Sequence, residues 1–321
     1  MKEYGGYIRL ELPKRQEYFK NIPEKDILRL NCGRAAFYCA AKELQVSKIY
    51  MPYFNCLYSV DPILKTGTKV EYYYLDQDFT PKGIEPKKDE AVLWINYYGN
   101  ADENQIKKVI KSYPKLIIDN CHAFFSEPIK GVYNCYSARK FFGVADGAYL
   151  IKNNLGTFDL EESESAEATL FLLKTIERGT NAVYSENLEN EERIGHLISK
   201  MSGLTKRILQ SINYDEVRSQ RNRNLVRLHN NLKDINEFPV NLESGTHISY
   251  PLLVRQQSLR NKLIEHKIYT PTWWRHVPEQ CGYAELETDL STYMVMIPID
   301  QRYDETDMDN ISEIIMSLLE K

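Results

Sequence analysis

Short apolar runs rich in β-branched and aromatic residues alternate with helix-forming stretches along the first half of this 321-residue chain. This alternation is typical of a largely parallel sheet that is covered by helices on both faces. The predicted strands are residues 48–51, 69–75, 91–97, 116–118 and 149–151, and the predicted helices are residues 33–44, 57–65 and 103–112. The sequence therefore predicts an α/β fold with a mostly parallel sheet.

The second half of the chain changes character twice. Residues 155–200 are acidic and polar around a helical stretch at 168–178, which indicates a solvated, mobile excursion. Residues 204–232 have a long helical pattern with four arginines, which is typical of a solvated or salt-bridged helix face; these are Arg218, Arg221, Arg223 and Arg227. Strand and helix patterns alternate again from residue 247 onward. We expect a large domain at residues 1–205 and a small C-terminal α+β domain at residues 206–321.

Composition and charge exclude several classes of protein. Hydrophobic residues make up 43% and charged residues 27% of the chain, which are the proportions of a globular protein. The formal net charge of −4 provides no overall attraction for nucleic acid or for an anionic membrane. No apolar run reaches the roughly 18 residues that span a bilayer, and the N-terminus lacks a signal-peptide core. The expectation is a cytoplasmic protein with small-molecule partners and no nucleic-acid or membrane partner.

The cysteines and tyrosines bear on metal binding and on oligomeric state. The six cysteines form no C-x-x-C pair and have no ligand spacing with histidine, so the sequence predicts no metal site. Tyrosines number 23 against 11 phenylalanines, and tyrosine suits wet clefts and subunit interfaces because it buries area while keeping a polar tip. This composition favours an oligomeric, ligand-binding protein.

Two polar candidates follow the predicted strand at 116–118. Ligands of open α/β sheets collect at the carboxyl ends of the parallel strands. Asp119 is a candidate partner for a protonated ring nitrogen or a metal, and equally a candidate helix N-cap. His122 is a candidate metal ligand, acid/base group or ring-packing residue, with a purely structural histidine as the alternative.

A lysine and a glycine complete the set of candidates. Lys140 lies before a glycine-bounded strand, with Ser137 three residues earlier. In an enclosed apolar setting a lysine has a lowered pKa and can form a Schiff base with a carbonyl, which is how pyridoxal 5'-phosphate (PLP) is held. The alternative is an ordinary surface loop. Gly33 and Arg34 stand at a predicted helix start, where free N–H groups bind anions.

In chain order, these residues resemble the motifs of the PLP-dependent aminotransferases of fold type I, in particular the DegT-type nucleotide-sugar aminotransferases. The similar segments are 30–36 (LNCGRAA), 50–56 (YMPYFNC), 118–123 (IDNCHA), 137–147 (SARKFFGVADG), 266–271 (HKIYTP) and 297–303 (IPIDQRY), the last two resembling strands of the small domain. The resemblance implies a homodimer with its site at the subunit interface. It also implies amino transfer, with glutamate as donor and a keto-sugar nucleotide or small keto acid as acceptor. The alternatives are another PLP enzyme (a lyase, decarboxylase or epimerase) and a binding or regulatory protein without turnover.

The resemblance also implies roles for individual residues. Lys140 would carry the Schiff base and shuttle protons. Asp119 would pair with the pyridinium nitrogen, and His122 would lie against the ring or its phenolic oxygen. The phosphate would be contacted by Gly33 and Arg34, both through the backbone, and by Ser137.

The chain departs from the family pattern at three of these positions. Cys56 stands where the family has a ring-stacking aromatic residue, so stacking would come from Tyr53, Phe54 or His122. Cys135 stands where the family has its phosphate-binding serine, so Ser137 would substitute for it. At the phosphate turn, an arginine (residue 34) replaces the usual threonine.

On the substrate side the candidate is Arg275, which follows two tryptophans, Trp273 and Trp274. Neighbouring residues on a strand point to opposite faces, so we expect one tryptophan inside the protein and the other at the cleft. Arg275 would then pair with a substrate carboxylate or diphosphate, which its planar guanidinium fits. A surface arginine is the alternative, and Arg302 is the next candidate.

Overall fold

A computed structural model of the protein describes residues 4–319 and contains ten strands within them. The strands are β1 (Ile27–Leu30), β2 (Lys48–Pro52), β3 (Lys69–Leu75), β4 (Pro81–Lys82), β5 (Glu90–Ile95), β6 (Leu116–Asp119), β7 (Tyr133–Ser137), β8 (Ala148–Ile151), β9 (Tyr250–Leu253) and β10 (Met294–Ile297). The first eight form one sheet in the order β1-β8-β7-β6-β5-β2-β3-β4, and β9 and β10 form a second. Strands β3, β2, β5, β6 and β7 run parallel, while β8, β1 and β4 are antiparallel to their neighbours. The predicted mostly parallel sheet is confirmed.

Eleven α-helices accompany the sheets in the described part of the chain. They are α1 (Gly33–Leu44), α2 (Asp61–Leu64), α3 (Glu103–Ser112), α4 (Ala166–Arg178), α5 (Tyr184–His196), α6 (Gly203–Leu209), α7 (Tyr214–Leu232), α8 (Leu259–Glu265), α9 (Val277–Gln280), α10 (Glu285–Tyr293) and α11 (Glu305–Leu319). Short 3₁₀ turns lie at Glu24–Asp26, Leu57–Ser59, Tyr97–Gly99, Ala138–Lys140 and Asn181–Val183. Among residues 4–319, no helix combines the length and the apolar character needed to cross a membrane.

The hydrophobic core follows the strand pattern. Every residue of β5 and β6, in the middle of the large sheet, is buried, and both strands are apolar except for Glu90 at the start of β5 and Asp119 at the end of β6. A separate apolar cluster joins α7, α8 and α11 to β9 and β10, with Leu228, Ile297 and Ile315 at its centre. The C-terminal part of the chain thus packs around its own two-stranded sheet.

Strand β7 was not predicted, because its sequence, Tyr-Asn-Cys-Tyr-Ser, is largely polar. All five of its residues are nevertheless buried. The polar side chain of Asn134 is satisfied within the fold. Its Nδ2 donates to the carbonyls of Ile129 and Val132 at 2.9 Å and of Ile151 at 3.2 Å, and its Oδ1 accepts the Ile129 N–H. Burial of a polar residue is tolerated when its hydrogen bonds are made, so hydrophobicity alone misses such a strand.

The predicted strand at residues 266–271 is wrong. Helix α8 ends there in a left-handed cap at Lys267, whose φ is 62°. The Lys267 N–H donates to the Ile264 carbonyl and the Ile268 N–H to the Leu263 carbonyl, each at 2.9 Å. This is the Schellman pattern, in which an apolar residue just after the cap packs on the last turn. Ile268 is buried for that reason and not as part of a strand.

The arginine-rich stretch at 204–232 forms two helices, α6 and α7, with a break between residues 209 and 214. Arg227 is salt-bridged, as expected, to Asp309 at 2.6 Å. Arg221, in contrast, is buried, and the prediction of a solvated face is wrong there. Its guanidinium donates to Gln301 Oε1 at 2.9 Å, to the Ile248 carbonyl at 3.1 Å and to the Phe141 carbonyl at 3.4 Å. Burial lowers the pKa of Arg221 to about 10.

Candidate active site

The carboxyl ends of β5, β6 and β7 and the start of α1 meet at one cavity of about 140 Å³. Ile95, Asp119 and Ser137, the last residues of these three strands, all line it. The residues predicted from sequence to hold a cofactor are brought together in this lining; they are Gly33, Arg34, Asp119, His122, Ser137 and Lys140. A cavity at the carboxyl edge of parallel strands is the position expected for a ligand in an α/β sheet.

Asp119 ends β6 and is buried. Its Oδ1 accepts the Cys121 N–H at 2.8 Å, and residues 121–126 form turns, so Asp119 does not cap an α-helix. Burial raises the pKa of the Asp119 carboxyl, and the nearby positive charge of Lys140 opposes this rise. A buried carboxylate with this environment is stabilised by a cation placed in the cavity.

His122 lies on the same turn and is also buried. Its ring stacks on Trp273, with 4.3 Å between the ring centroids and 23° between the planes. Its Nδ1 is buried and has no hydrogen-bond partner among residues 4–319. Burial, with a smaller contribution from Lys140, lowers the pKa of His122 well below its usual range, so the ring is neutral at pH 7.

Lys140 and Ser137 come from the end of β7 and the 3₁₀ turn that follows it. The Ser137 side chain is buried at the cavity, whereas Cys135 is enclosed within β7 and lies outside the lining. The hydroxyl at the cavity therefore belongs to residue 137, whereas the motif that the chain resembles has its serine at the position of residue 135. Lys140 is exposed at the cavity rim in the single chain, so the enclosed apolar setting that we expected for it is not present there.

The turn before α1 has the features of an anion-binding site. The helix begins at Gly33, and its N-cap Cys32 makes no side-chain cap bond. No acidic residue lies in the first turn, so the first N–H groups and the positive end of the helix dipole are left for a ligand. A Cβ on Gly33 would lie 3.1 Å from Cys121 Sγ, so the glycine allows this turn to pack tightly against the Asp119 turn.

The aromatic side chains at the cavity differ from those expected. Tyr53 stacks on Tyr72 and makes a tilted contact with Tyr74, away from the cavity, and Phe54 packs behind the lining. Of the three candidates for ring stacking, only His122 lines the cavity, together with Trp274, Phe37, Tyr58 and the half-buried Cys56. Trp274 packs against Phe54 with 4.8 Å between the ring centroids.

The substrate-side expectations are met only in part. Trp274 lines the cavity, as expected of one tryptophan, but Trp273 packs on His122 and is only half-buried, and residues 270–274 form an irregular segment and not a strand. Arg275 is exposed and lies outside the lining. Arg302, the next candidate, pairs with Asp300 at 2.7 Å, also outside the cavity.

Two charged residues of the lining, Arg139 and Glu191, were not singled out from the sequence. Glu191 belongs to α5, inside the segment that we interpreted as a solvated excursion, and its carboxylate pairs with Arg139. Asn31 Nδ2, in the turn before α1, donates to the Leu197 carbonyl at 3.0 Å and to the Ile194 carbonyl at 3.3 Å. Residues 184–197 therefore pack against the cavity. No local signal distinguishes Glu191 within an acidic run, so sequence alone could not have found it.

Comparison with known proteins shows the fold. No protein-family model matches the chain, and no curated protein matches it by sequence. Among solved structures, the sugar aminotransferase CalS13 from Micromonospora echinospora superposes with a TM-score of 0.63 at 14% identity, over 91% of this chain and 87% of that one. A DegT DnrJ EryC1 StrS aminotransferase from Brucella abortus gives 0.59 at 14% identity, over 91% and 85%. The chain has the fold of these aminotransferases.

A third solved structure adds the cofactor to this comparison. NtdA from Bacillus subtilis with bound cofactor PMP superposes with a TM-score of 0.58 at 15% identity, over 90% of this chain and 73% of that one. The predicted type I fold of PLP-dependent aminotransferases is thereby confirmed.

Proposed function

We propose that this protein is a PLP-dependent aminotransferase that transfers an amino group from glutamate to a keto-sugar nucleotide or a small keto acid. One observation carries the proposal. The candidates for phosphate, ring nitrogen and carbonyl binding, which are far apart in sequence, line a single cavity at the carboxyl edge of the sheet. Solved proteins with this fold include a sugar aminotransferase, and another solved protein with this fold has bound PMP.

The cavity residues fit the cofactor. A protonated ring nitrogen is the cationic partner that the buried Asp119 carboxylate needs. The buried Nδ1 of His122 has no protein partner within residues 4–319, so a ligand oxygen or nitrogen can satisfy it. The uncapped start of α1 and the Ser137 hydroxyl supply neutral donors for a phosphate. His122 and Trp274 supply flat apolar surfaces for the ring.

The charges of the lining also favour an anionic ligand. Arg34, Arg139 and Lys140 are cations, and Asp119 and Glu191 are carboxylates, so the cavity carries one positive charge in excess. An excess of one sign in a cleft concentrates ligands of the opposite charge. PLP, with its phosphate, meets this requirement.

In this proposal PLP supplies the electron sink that stabilises negative charge on the substrate Cα. Lys140 Nζ would hold the carbonyl carbon of the cofactor, and the same amine would serve as the base for the Cα proton of the donor. Asp119 would keep the ring nitrogen of the cofactor protonated through a charge-assisted hydrogen bond. His122 would stay neutral and would orient the cofactor ring by stacking, because the contact with Trp273 fixes the plane of the imidazole.

We further propose a cytoplasmic homodimer in which a second copy covers the cavity mouth. Tyr58 lines the cavity and is 65% exposed, and the neighbouring Leu57 is 51% exposed. An exposed apolar rim at a ligand cavity is typical of a subunit interface. Burial under a second chain would also give Lys140 the enclosed setting that a reactive amine needs. Light scattering during size-exclusion chromatography tests this: a monomer at micromolar concentration contradicts it.

The experiment that tests the function is a half-reaction with glutamate. Purified protein loaded with PLP is mixed with glutamate in the absence of an acceptor, and 2-oxoglutarate is quantified. An aminotransferase releases one equivalent per bound PLP and retains the amino group. Release of CO₂ or ammonia, or epimerisation of a substrate without 2-oxoglutarate, would indicate another PLP enzyme. PLP binding without any turnover would indicate a binding or regulatory protein.

A further inference from the structure

Two arginine side chains converge on one carboxylate at the cavity wall. The Arg139 guanidinium makes a two-pronged contact with the Glu191 carboxylate, with Nη1 at 3.3 Å from Oε2 and Nη2 against Oε1. Arg34 Nη2 donates to the Glu191 carbonyl at 3.0 Å and lies 3.8 Å from Oε2. All three residues line the cavity that contains Lys140.

This arrangement differs from a surface salt bridge in two ways. The Arg139 and Arg34 side chains are only 13% and 19% exposed, while Glu191 is 47% exposed. The two guanidiniums share a single carboxylate, so one positive charge has no counter-charge in the cluster. Arg139 Nε is also buried without a hydrogen-bond partner in the part of the chain from 4 to 319. An arginine has five N–H donors, and this pair keeps donors for which Glu191 supplies no acceptor.

We propose that the side chains of Arg34 and Arg139 form the subsite that binds the α-carboxylate of the amino donor, and that Glu191 is an internal counterion which this carboxylate displaces. The proposal rests on the aminotransferase function and names a binding site for its donor. It is distinct from the phosphate contacts, for which the backbone at the start of α1 and the Ser137 hydroxyl suffice.

The position of the two arginines beside Lys140 indicates which carboxylate of the donor they bind, namely the α-carboxylate. The α-carboxylate of an amino acid is bonded directly to the Cα whose proton Lys140 removes, so its binding site must lie beside Lys140. Arg139 precedes Lys140 in the same 3₁₀ turn, and both side chains line the cavity. The planar guanidinium already holds a carboxylate with two N–H groups, the geometry in which arginine binds carboxylates best.

Displacement of Glu191 requires only a side-chain movement. The α5 backbone is held by other contacts, since Asn190 Nδ2 donates to the Ala145 carbonyl at 3.1 Å and Asn31 bonds to the carbonyls of residues 194 and 197. The half-exposed Glu191 carboxylate can turn into water, where its charge is well solvated. Because water compensates the displaced Glu191 charge, and because the two arginines carry one more charge than Glu191 neutralises, a ligand carboxylate can compete with it.

The test measures glutarate binding to protein in which PLP has been fixed to Lys140 by borohydride, so that no turnover occurs and the phosphate is in place. We expect Glu191→Gln to bind glutarate about 10-fold more tightly, because the internal competitor loses its charge. Arg139→Gln should bind it at least 10-fold more weakly, with Arg139→Lys in between. Glu186→Gln is the matched control, because Glu186 lies on the same helix and pairs with Lys174, outside the cavity. It should leave the affinity unchanged.

Unchanged or weaker glutarate binding in Glu191→Gln would overturn the proposal, since a purely structural salt bridge predicts that result together with a lower melting temperature. Tighter binding of PLP or inorganic phosphate by cofactor-free Glu191→Gln, without tighter glutarate binding, would also overturn it and would assign the arginines to the cofactor phosphate. Failure of PLP binding is seen separately, as absence of the borohydride-fixed adduct, and failure of amino transfer is seen as absence of 2-oxoglutarate in the glutamate half-reaction. In that case the same order of glutarate affinities among the cofactor-free variants supports the carboxylate subsite, and equal affinities overturn it.

Discussion

Replacement of Asp119 by asparagine should separate function from stability. Asparagine has nearly the same shape, and its amide oxygen can still accept the Cys121 N–H that Asp119 Oδ1 now accepts at 2.8 Å. What it lacks is the charge that pairs with the ring nitrogen. Loss of this charge-assisted bond removes on the order of 3 kcal/mol of transition-state stabilisation, which corresponds to a fall in turnover of roughly 10²-fold.

The same variant, Asp119→Asn, should not lose stability. Burial raises the pKa of Asp119 in the folded cofactor-free protein, so the folded state holds this proton more tightly than the unfolded state. The stabilisation linked to that proton is present below the unfolded pKa of about 4 and is lost as the pH rises through the folded pKa. The ionised carboxylate therefore destabilises the fold. We expect Asp119→Asn to leave the free energy of unfolding of the cofactor-free protein unchanged or to increase it.

Asp146 provides the matched control. It is also a buried carboxylate, but its oxygens accept the Ser202 N–H and the Ser202 hydroxyl, each at 2.8 Å, and the Thr205 hydroxyl. Hydrogen bonds to a charged group contribute about 1.5–3 kcal/mol each, so Asp146→Asn should destabilise by at least about 2 kcal/mol. Urea unfolding and single-turnover reaction with glutamate are measured for both variants. If Asp119→Asn destabilises like Asp146→Asn and keeps its rate, Asp119 is a structural turn residue and the reasoning fails.

Three further variants test the phosphate contact and the response to pH. Ser137→Ala should weaken PLP binding about 10-fold through loss of one hydrogen bond of about 1.4 kcal/mol, while Cys135→Ala should not, because Cys135 is enclosed in β7. The dissociation constants of PLP for the two variants check this. Weaker PLP binding by Cys135→Ala than by Ser137→Ala would assign the phosphate contact to position 135. Burial lowers the pKa of His247 to about 4, so its contribution of about 3 kcal/mol to stability is present above pH 6.5 and is lost as the pH falls toward 4. Urea unfolding at pH 7, 5.5 and 4 should show a shallower pH dependence for His247→Gln, and equal slopes would refute it.

Local pattern predicts the parts of this fold that depend on local physics. Helix α1 begins at Gly33 and ends at Leu44, as predicted, because alanines and other helix formers fill it and no breaker interrupts them. Strand β6 is a run of buried apolar residues ending in a carboxylate, which also pointed to Asp119. The positions predicted at the carboxyl edge of the sheet could be found because strand ends and helix starts are visible in sequence.

The rest depends on contacts between distant residues. Arg139 and Glu191 are 52 positions apart, and nothing local relates them. Trp274 belongs to an irregular segment that we had predicted to follow a strand. It reaches the cavity through its contact with Phe54, which follows β2 and is far away in sequence. Strand β7 was missed because the bonds that satisfy Asn134 come from the backbone of residues 129, 132 and 151. The exposure of Lys140 is a property of one chain, and the proposed second copy would change it.

The most direct test of the account is the site of covalent PLP attachment. The purified protein is incubated with PLP, reduced with borohydride and digested, and the pyridoxyl adduct is mapped by mass spectrometry. Lys130→Ala, which removes an exposed lysine outside the cavity, is the control beside Lys140→Ala. The account predicts a single adduct on Lys140 that persists in the control and disappears in Lys140→Ala. An adduct on a different lysine, or none at saturating PLP, would contradict it.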